Sequence, residues 1–381
     1  MMLPRRRFLG LAAAAGVAGC SQPAPVEPSP SPAPSSGGPS PLVGSRSPSA
    51  TPTPTPSPTP TSTELGAPKA TELITGLTSP WGLIPLRDGS FLVSERDTRE
   101  IKQIVGKEAA VVATVAEAEP NVEGGLLGIA ASADERVVFA YFTTDSDNRV
   151  ARFSWDGNQL GQPDVILQGI PHGARHDGGR LRVGPDDLLY VSTGETGEPD
   201  LAQDRDSLAG KILRITPDGA PAPGNPFDSE VYSYGHRNVQ GLAFDPEGWL
   251  WASEFGDQTW DELNLIEAGG NYGWPLVEGE GGGSDLIDPQ AVWSTAEASP
   301  SGMTYWKGSL YLAALRGQRL WEIPLDGDRA GEPIAHFTEE YGRLRSVEVS
   351  ADGESLLMLT NNTDGRLEPR DGDDRLLRIT R

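Results

Sequence analysis

Cysteine is almost absent from this chain. Its 381 residues contain one cysteine, Cys20, which lies close to the N-terminus. A single cysteine cannot form a disulfide within the chain, and no other thiol is present. A disulfide framework and thiolate chemistry are therefore both excluded for the folded part of the protein.

Helical periodicity is missing as well. Apolar residues alternate in short runs instead of recurring at the spacing of a helix, which predicts an all-β fold. The apolar run near the N-terminus, residues 8–18, is shorter than the about 20 residues that a membrane-spanning helix needs. We therefore do not expect this run to cross a membrane.

Basic residues are fewer than acidic ones. The chain has 54 acidic residues against 31 lysines and arginines, and its formal net charge is −23 at pH 7. A surface of this sign repels nucleic acids and the anionic face of a membrane. No nucleic-acid partner is therefore expected.

The N-terminus has the features of an export signal. The sequence RRRFL at residues 5–9 resembles a twin-arginine motif, and VAGC at residues 17–20 resembles a bacterial lipobox. We predict that residues 1–20 are a lipoprotein signal peptide and that Cys20 is lipidated. The protein would then be held at the outer face of the bacterial cytoplasmic membrane by a lipid anchor only. The alternative is an ordinary cleaved signal in which Cys20 is incidental.

Residues 21–66 consist mainly of Pro, Ser, Thr, Ala and Gly with almost no charge. Such a composition cannot form a core, so we predict a disordered linker. Alternating prolines favour an extended chain of about 3.1 Å per residue, which could hold the folded domain up to roughly 140 Å from its anchor. The alternative is a disordered leader without a spacing role.

From residue 67 to 381 the chain repeats itself. Each unit has a turn rich in Gly and Asp, a strand of the type Leu-Tyr-Val, a variable loop and a strand ending in Ile or Leu. The turns lie at Asp88, Asp134, Asp186, Glu247, Gly308 and Asp352. A step of about 50 residues is the length of one four-stranded antiparallel blade, which predicts a six-bladed β-propeller. A two-sheet sandwich is the alternative, but it would not need equal spacing.

Three linked motifs resemble a known family. They are GHRN-x-QGLAF at residues 235–244, SE-x-G-x-x-x-x-DE-x-N-x-I at 253–266, and GGNYGWP at 269–275. Together they resemble the soluble quinoprotein sugar dehydrogenases, the glucose/sorbosone and aldose dehydrogenases that use pyrroloquinoline quinone (PQQ). The resemblance covers roughly residues 73–381 and is strongest over 178–275.

The resemblance implies roles for individual residues. The family signature His-x-x-Gly-Arg-Leu begins here at His176, which would be the general base; an imidazole near neutrality can accept a hydroxyl proton. Arg237 and Asn238 match a pair that touches the quinone, with Arg237 stabilising developing negative charge. The alternatives are an exposed loop histidine and an arginine that pairs with a carboxylate between blades.

PQQ carries three carboxylates, so the resemblance also implies a cluster of cations. Arg343 and Arg345 match the family's Arg-x-Arg pair, and Arg316 matches a position that is often Lys. Solvated arginines at strand edges are the alternative. Glu123 stands where the family has Gln or Glu beside the cofactor and the substrate.

Calcium is implied in the same way. In the family, Ca²⁺ bridges PQQ to backbone carbonyls of a Gly-Pro step, which Gly256 and Asp257 match here with Asp in place of Pro. A backbone ligand tolerates this change, and a carboxylate could add an oxygen. Asp261 and Glu262 match the Asp-Glu pair that follows, and both could equally fix the loop by accepting hydrogen bonds.

The predicted function is PQQ- and calcium-dependent oxidation of aldoses to lactones, with electrons passing to an external acceptor. Arg175 stands where the glucose-oxidising branch has an acid, and residues 194–198 also depart from that branch. This favours the broad aldose dehydrogenase branch. The main alternative is a sugar-binding or adhesion propeller that has lost the cofactor. A metal-dependent lactonase propeller is disfavoured, because no carboxylate and Asn cage for the metal is evident.

Overall fold

A computed structural model describes residues 66–381. The predicted signal peptide, Cys20 and the linker up to residue 65 lie outside the described residues, so their predictions stay untested. Within residues 66–381, no helix combines the length and the apolar character needed to cross a bilayer.

The structure confirms the predicted six-bladed propeller of antiparallel blades. The first blade consists of β2 (Pro80–Pro85), β3 (Phe91–Glu95), β4 (Glu100–Val105) and β5 (Glu108–Thr114). The second consists of β6 (Leu126–Ala131), β7 (Val137–Thr143), β8 (Asn148–Ser154) and β9 (Asp164–Ile170). The third consists of β10 (Leu181–Val183), β11 (Leu189–Ser192), β12 (Lys211–Ile215) and β13 (Val231–Tyr234), with a short 3-10 helix at Pro199–Ala202.

The fourth to sixth blades follow the same order. The fourth consists of β14 (Val239–Phe244), β15 (Leu250–Glu254), β16 (Trp260–Ile266) and β17 (Ala291–Ser294). The fifth consists of β18 (Pro300–Trp306), β19 (Ser309–Ala314), β20 (Arg319–Asp326), the two-residue β21 (Arg329–Ala330) and β22 (Ile334–His336). The sixth consists of β23 (Leu344–Val349), β24 (Leu356–Thr360), β25 (Leu376–Thr380) and the N-terminal strand β1 (Lys69–Ile74).

The predicted turns all lie between the first and second strands of their blades. In the fourth blade, the turn after β14 places Gly248 at φ +87°, a conformation that glycine adopts without a steric penalty. The loop that follows β15 is short. Because Trp260 and Asp261 pair with Ser294 and Trp293 of β17, strand β16 starts at Trp260 and the loop comprises only residues 255–259.

The ring is closed by strands from the two ends of the chain. Strand β1 pairs antiparallel with β25, with Lys69 opposite Thr380 and Ile74 opposite Leu376. The sixth blade therefore takes its outermost strand from the start of the domain. Because the first strand pairs with the last, the sixth blade is a complete four-stranded sheet.

The hydrophobic core is divided among the interfaces between blades. One cluster joins Ile101 of the first blade to Leu126, Val138 and Phe142 of the second, and all four are almost completely buried. Further clusters repeat this arrangement around the ring. Each blade thus buries its faces against its neighbours, which holds the inner strands at a fixed distance from the axis.

Two arginines of the third blade extend to the sixth blade, Arg180 just before the inner strand β10 and Arg182 within it. Arg182 forms two bonds to the carboxylate of Glu348, at 3.0 and 2.9 Å. The guanidinium of Arg180 lies 4.2 Å from the centre of the Trp81 ring and reaches Ser346 Oγ at 3.4 Å. Burial lowers the pKa of Arg180 to about 9. These side chains occupy the space between the inner strands.

Candidate active site

A cavity of about 400 Å³ collects residues from loops and inner strands of several blades. All nine site residues that the sequence predicted within the described range line this cavity: Glu123, His176, Arg237, Asn238, Gly256, Asp257, Arg316, Arg343 and Arg345. They come from segments up to 222 positions apart in the chain, between Glu123 and Arg345. The fold brings them together, while the role of each stays a prediction.

His176 is held in an unusual backbone conformation. Its φ is +60°, in the left-handed region that residues other than glycine rarely adopt. Gly194 packs so closely against this turn that a Cβ at that position would lie 1.8 Å from the His176 carbonyl oxygen. Asn238 supports the same turn, because its Oδ1 accepts the backbone N–H of Gly178 at 3.1 Å. The ring is therefore presented to the cavity by a tightly packed turn.

A buried carboxylate orients the imidazole. Glu195, which is 1% exposed, has its Oε1 2.5 Å from His176 Nδ1. If Nδ1 carries the proton and donates it to Glu195, Nε2 is left as the basic nitrogen. Within residues 66–381, Nε2 has no hydrogen-bond partner. The sequence analysis did not assign a role to Glu195; a carboxylate in the next turn of the same blade was the only available signal.

Glu123 connects the histidine turn to the cavity rim. Its Oε2 accepts the backbone N–H of His176 at 2.8 Å, and its Oε1 accepts from Arg366 at 2.8 Å. Arg366 lines the cavity and was not predicted. Glu123 thus stabilises the strained turn of the candidate base, in addition to any contact with a ligand.

Arg237 is fixed to the loop of residues 255–259. Its guanidinium donates to Gly256 O at 2.5 Å and to Asp257 Oδ1 at 2.8 Å, and it lies 5.3 Å from the centre of the Trp274 ring. Its backbone N–H donates to the buried carboxylate of Glu254. Both ends of the residue are therefore held, and the charged group faces the cavity.

A buried polar network lies behind Arg237. His236 is fully buried; its Nδ1 is 2.8 Å from Glu254 Oε2 and its Nε2 is 2.8 Å from Ser233 Oγ. Asn264 bonds to Glu262 at 3.2 Å, and burial together with the neighbouring charge of Glu254 raises the pKa of Glu262 to about 8. Ser233, His236 and Glu254 form a chain of hydrogen bonds. Because all three are buried, they support the backbone of Arg237.

The arginines of the sixth blade surround one buried carboxylate. Asp364 lies 3.0 Å from Arg343, 3.9 Å from Arg345 and 3.8 Å from Arg366. Burial by itself would raise the pKa of Asp364, but these arginines lower it below its usual range. Burial lowers the pKa of Arg343 and Arg345, and Asp364 counteracts this effect. Asp364 therefore keeps the arginines charged and close together, and the sequence analysis missed it.

The lining of the cavity fits a small anion with several negative charges. It contains six arginines (96, 237, 316, 343, 345 and 366) against three acidic side chains (123, 257 and 261), a formal balance of +3 in a chain of net charge −23. Within the described residues, the buried Nε atoms of Arg237 and Arg343 have no hydrogen-bond acceptor. Both observations suit a tricarboxylate such as PQQ.

The same region fits calcium poorly. Ca²⁺ takes six to eight oxygen ligands. The two predicted donors, Gly256 O and the Asp257 carboxylate, both accept hydrogen bonds from Arg237. Asp261 and Glu262 fix backbone groups, since Asp261 accepts from Gly256 N at 2.9 Å and Glu262 from Gly279 N at 2.7 Å. Over residues 66–381 there is no group of three or more His, Cys, Asp or Glu side chains arranged to hold a metal.

The fold and the cavity define the class of protein. A histidine oriented by a buried carboxylate faces a wall of arginines, an arrangement that suits the removal of a proton beside an anionic group. The chain is accordingly an enzyme built on a six-bladed propeller. It belongs to the glucose/sorbosone dehydrogenase family, whose model matches residues 77–369, and is thus an oxidoreductase.

Individual relatives agree with this assignment. The structure of the PQQ-bound aldose sugar dehydrogenase of Streptomyces coelicolor is 54% identical, covers 82% of this chain and 98% of that one, and superposes with a TM-score of 0.80. An aldose sugar dehydrogenase of Escherichia coli is 28% identical over 332 residues, 76% of this chain and 89% of that protein. Quinoprotein glucose dehydrogenase B of Acinetobacter calcoaceticus is 33% identical over 250 residues, 54% of this chain and 52% of that protein.

Proposed function

We propose that this protein oxidises aldoses at the anomeric carbon to lactones, with PQQ as its cofactor. The observation that carries the proposal is the oriented His176–Glu195 pair, which faces a cavity of formal charge +3. The relative that is 54% identical is described as a PQQ-bound aldose sugar dehydrogenase, which supports the same cofactor here.

His176 is the proton acceptor in this mechanism. The anomeric hydroxyl would lie within hydrogen-bond reach of Nε2, which takes its proton as the lactone carbonyl forms. Glu195 holds Nδ1–H and stabilises the imidazolium that results. When bound, PQQ would supply the acceptor for the hydride that leaves the anomeric carbon.

The arginines have a separate part in the mechanism. Arg316, Arg343 and Arg345 would hold the cofactor carboxylates, and Asp364 keeps Arg343 and Arg345 in position. Arg237 would stabilise negative charge on the ligand, since its guanidinium is fixed at the cavity wall by Gly256 and Asp257. Asn238 would contact the ligand while it supports the histidine turn.

Three further elements of the proposal rest on the sequence alone. We infer export, lipidation at Cys20 and attachment to the outer face of the bacterial cytoplasmic membrane from residues 1–20. The enzyme needs an external electron acceptor to complete its cycle. Calcium is implied only by the family pattern at Gly256 and Asp257; because both groups accept hydrogen bonds from Arg237, no step of the mechanism depends on it.

The test separates the base from the cofactor clamp. His176→Gln should lower kcat by about 10²–10⁴-fold and leave PQQ affinity unchanged, because the base carries no cofactor charge. Arg316→Ala should do the reverse and require roughly ten- to a hundredfold more PQQ. Turnover with a panel of aldoses and quinone absorbance are measured after reconstitution with PQQ, with and without Ca²⁺.

The matched control is His172→Gln, in the same loop but outside the cavity lining. It should behave as the wild type. Unaltered turnover in His176→Gln would remove that residue as the base. A wild-type protein that takes up no PQQ, with or without Ca²⁺, would overturn the proposed PQQ-dependent oxidation and favour a sugar-binding propeller.

A further inference from the structure

One carboxylate outside the cavity holds an entire loop of the cavity wall. Glu278 lies on the segment between β16 and β17 and is not among the residues that line the cavity. Its Oε1 accepts four consecutive backbone N–H groups at 2.7, 3.1, 2.9 and 3.0 Å, those of Asp257, Gln258, Thr259 and Trp260. Almost the whole connection between β15 and β16 is therefore tied to one oxygen atom.

These bonds form an anion-binding nest. Successive backbone N–H groups that converge on one point favour a negative charge there, and bonds to an ionised acceptor are stronger than neutral ones. Burial alone would raise the pKa of the Glu278 carboxyl, but the four amide bonds hold it below its usual range. The nest is thus occupied by a carboxylate of the protein itself.

The remaining amide of the loop is fixed by a second carboxylate. The N–H of Gly256 donates to Asp261 Oδ1 at 2.9 Å. Gly256 itself leaves no room for a side chain, because a Cβ there would lie 1.8 Å from Trp260 O and 2.7 Å from Glu278 Oε1. Every backbone N–H from residue 256 to 260 is therefore held by Asp261 or Glu278.

This loop in turn holds Arg237. Its two anchoring acceptors, Gly256 O and the Asp257 carboxylate, belong to the residues that Glu278 and Asp261 fix. We propose that Glu278 is a positioning residue, which sets the place of the Arg237 guanidinium at the cavity wall through the loop of residues 255–259. The catalytic consequence rests on the function proposed above, whereas the hold on the loop does not.

The experiment compares Glu278→Ala and Glu278→Gln with Glu280→Ala, a change at an exposed glutamate two residues further on. The first readout is amide hydrogen exchange in residues 256–260 of the PQQ-free protein, with strand β15 and residues 261–266 of β16 as internal reference. Loss of bonds to a charged acceptor should speed exchange of these amides in Glu278→Ala by about tenfold or more. Glu280→Ala should exchange as the wild type.

The second readout is catalysis after reconstitution with PQQ. A displaced Arg237 should lower kcat by up to about 10²-fold, while the KM for the sugar changes little. Glu278→Gln keeps the shape of the side chain but not its charge, so it should give an intermediate loss of both loop protection and kcat. This variant decides the matter if Glu278→Ala does not fold.

Three outcomes are decisive. If the loop amides of both Glu278 variants exchanged at the wild-type rate, the proposal that Glu278 fixes the loop would be overturned. Fast loop exchange with unchanged kcat would overturn the positioning of Arg237. If the wild type takes up no PQQ, the proposed function fails, and the exchange measured without PQQ still decides whether Glu278 fixes the loop.

Discussion

A single carboxylate, that of Glu195, decides what the ring of His176 can do. It is buried, and within the described residues its Oε2 accepts no hydrogen bond. A positive charge on His176 would compensate the charge of this carboxylate directly, because His176 Nδ1 is its hydrogen-bond partner. In the proposed mechanism, Glu195 accordingly stabilises the imidazolium that forms when the proton arrives from the substrate.

Replacing this carboxylate tests that argument. Glu195→Gln keeps an oxygen near Nδ1 but removes the charge, so kcat should fall by about 10²–10⁴-fold with little change in the KM for the sugar. Glu198→Gln, at an exposed position in the same loop, is the control and should be neutral. Steady-state kinetics after reconstitution with PQQ give both constants. A variant that lost sugar affinity and kept kcat would place Glu195 in substrate binding instead.

The sequence identified the residues that stand in motifs and missed those that act through space. His176, Arg237 and Arg343 were found because short stretches around them follow a known pattern. Asp364 lies in an ordinary turn sequence 21 positions after Arg343, and nothing local indicates that it meets the arginines. Such contacts depend on how neighbouring loops fold over the cavity, which residue patterns do not encode.

At the scale of elements, the fifth blade contains an ion pair that joins three strands. Glu322 of β20 bonds to His336 Nε2 of β22 at 2.7 Å and to Arg381, the residue after β25, at 2.8 Å. His336 pairs with Leu320 in the sheet, and its side chain is largely buried against Glu322.

This cluster should make stability depend on acid pH. Burial would raise the pKa of Glu322, but bonds from His336 and Arg381 lower it from its ordinary 4.5 to about 2. The unfolded state then binds more protons between these values, so the contribution is complete above pH 4.5 and is lost as pH falls towards 2. The cluster should therefore stabilise the fold at neutral pH and not at pH 2.

Removing one partner should show this loss directly. Arg381→Gln should lower the Tm at pH 7 by roughly 2 °C, as expected for about 1 kcal/mol, and the difference should shrink as pH falls to 2. Arg329→Gln, on the exposed strand β21, is the control. Thermal unfolding between pH 2 and 7 measures both variants. A difference that grew at low pH would show that Glu322 is not the group involved.

The number of blades was predictable from the repeat, but the closure of the ring was not. The turns at Asp88 and Asp352 mark blades by their local sequence, because tight turns need Asp and Gly. Strand β1, KATELI, carries no such mark, and four of its six residues are polar or small. Its place follows from pairing with β25, about 300 residues away in the chain.

At the scale of the whole molecule, a protein of negative net charge contains a cavity of positive charge. The net charge is −23, while the cavity lining has a formal balance of +3. The field of the whole protein repels an approaching anion at long range, and the arginines attract it only close by. The arginines therefore determine affinity, and the surface opposes the rate of entry.

Salt should consequently speed the binding of PQQ. The Debye length falls from about 30 Å at 0.01 M to about 8 Å at 0.15 M salt, so the long-range repulsion is screened before the short contacts in the cavity are. The association rate should rise several-fold over this range. Stopped-flow quenching of tryptophan fluorescence measures it, and the KM for an uncharged aldose serves as the salt control. A rate that falls with salt would mean that the arginine field reaches beyond the cavity mouth and dominates.

The pairing of β1 with β25 also determines how the domain responds to force. The two strands are antiparallel, so the N-terminal end of β1 at Lys69 lies beside the C-terminal end of β25 at Thr380. A pull on the chain before Lys69 draws β1 along its own axis, while β25 is anchored through its opposite end at Leu376. The hydrogen bonds between the strands are then loaded together in shear and do not break one after another. If residues 1–65 attach the domain to a membrane, the pairing of β1 with β25 that completes the ring also bears the tension applied through that attachment.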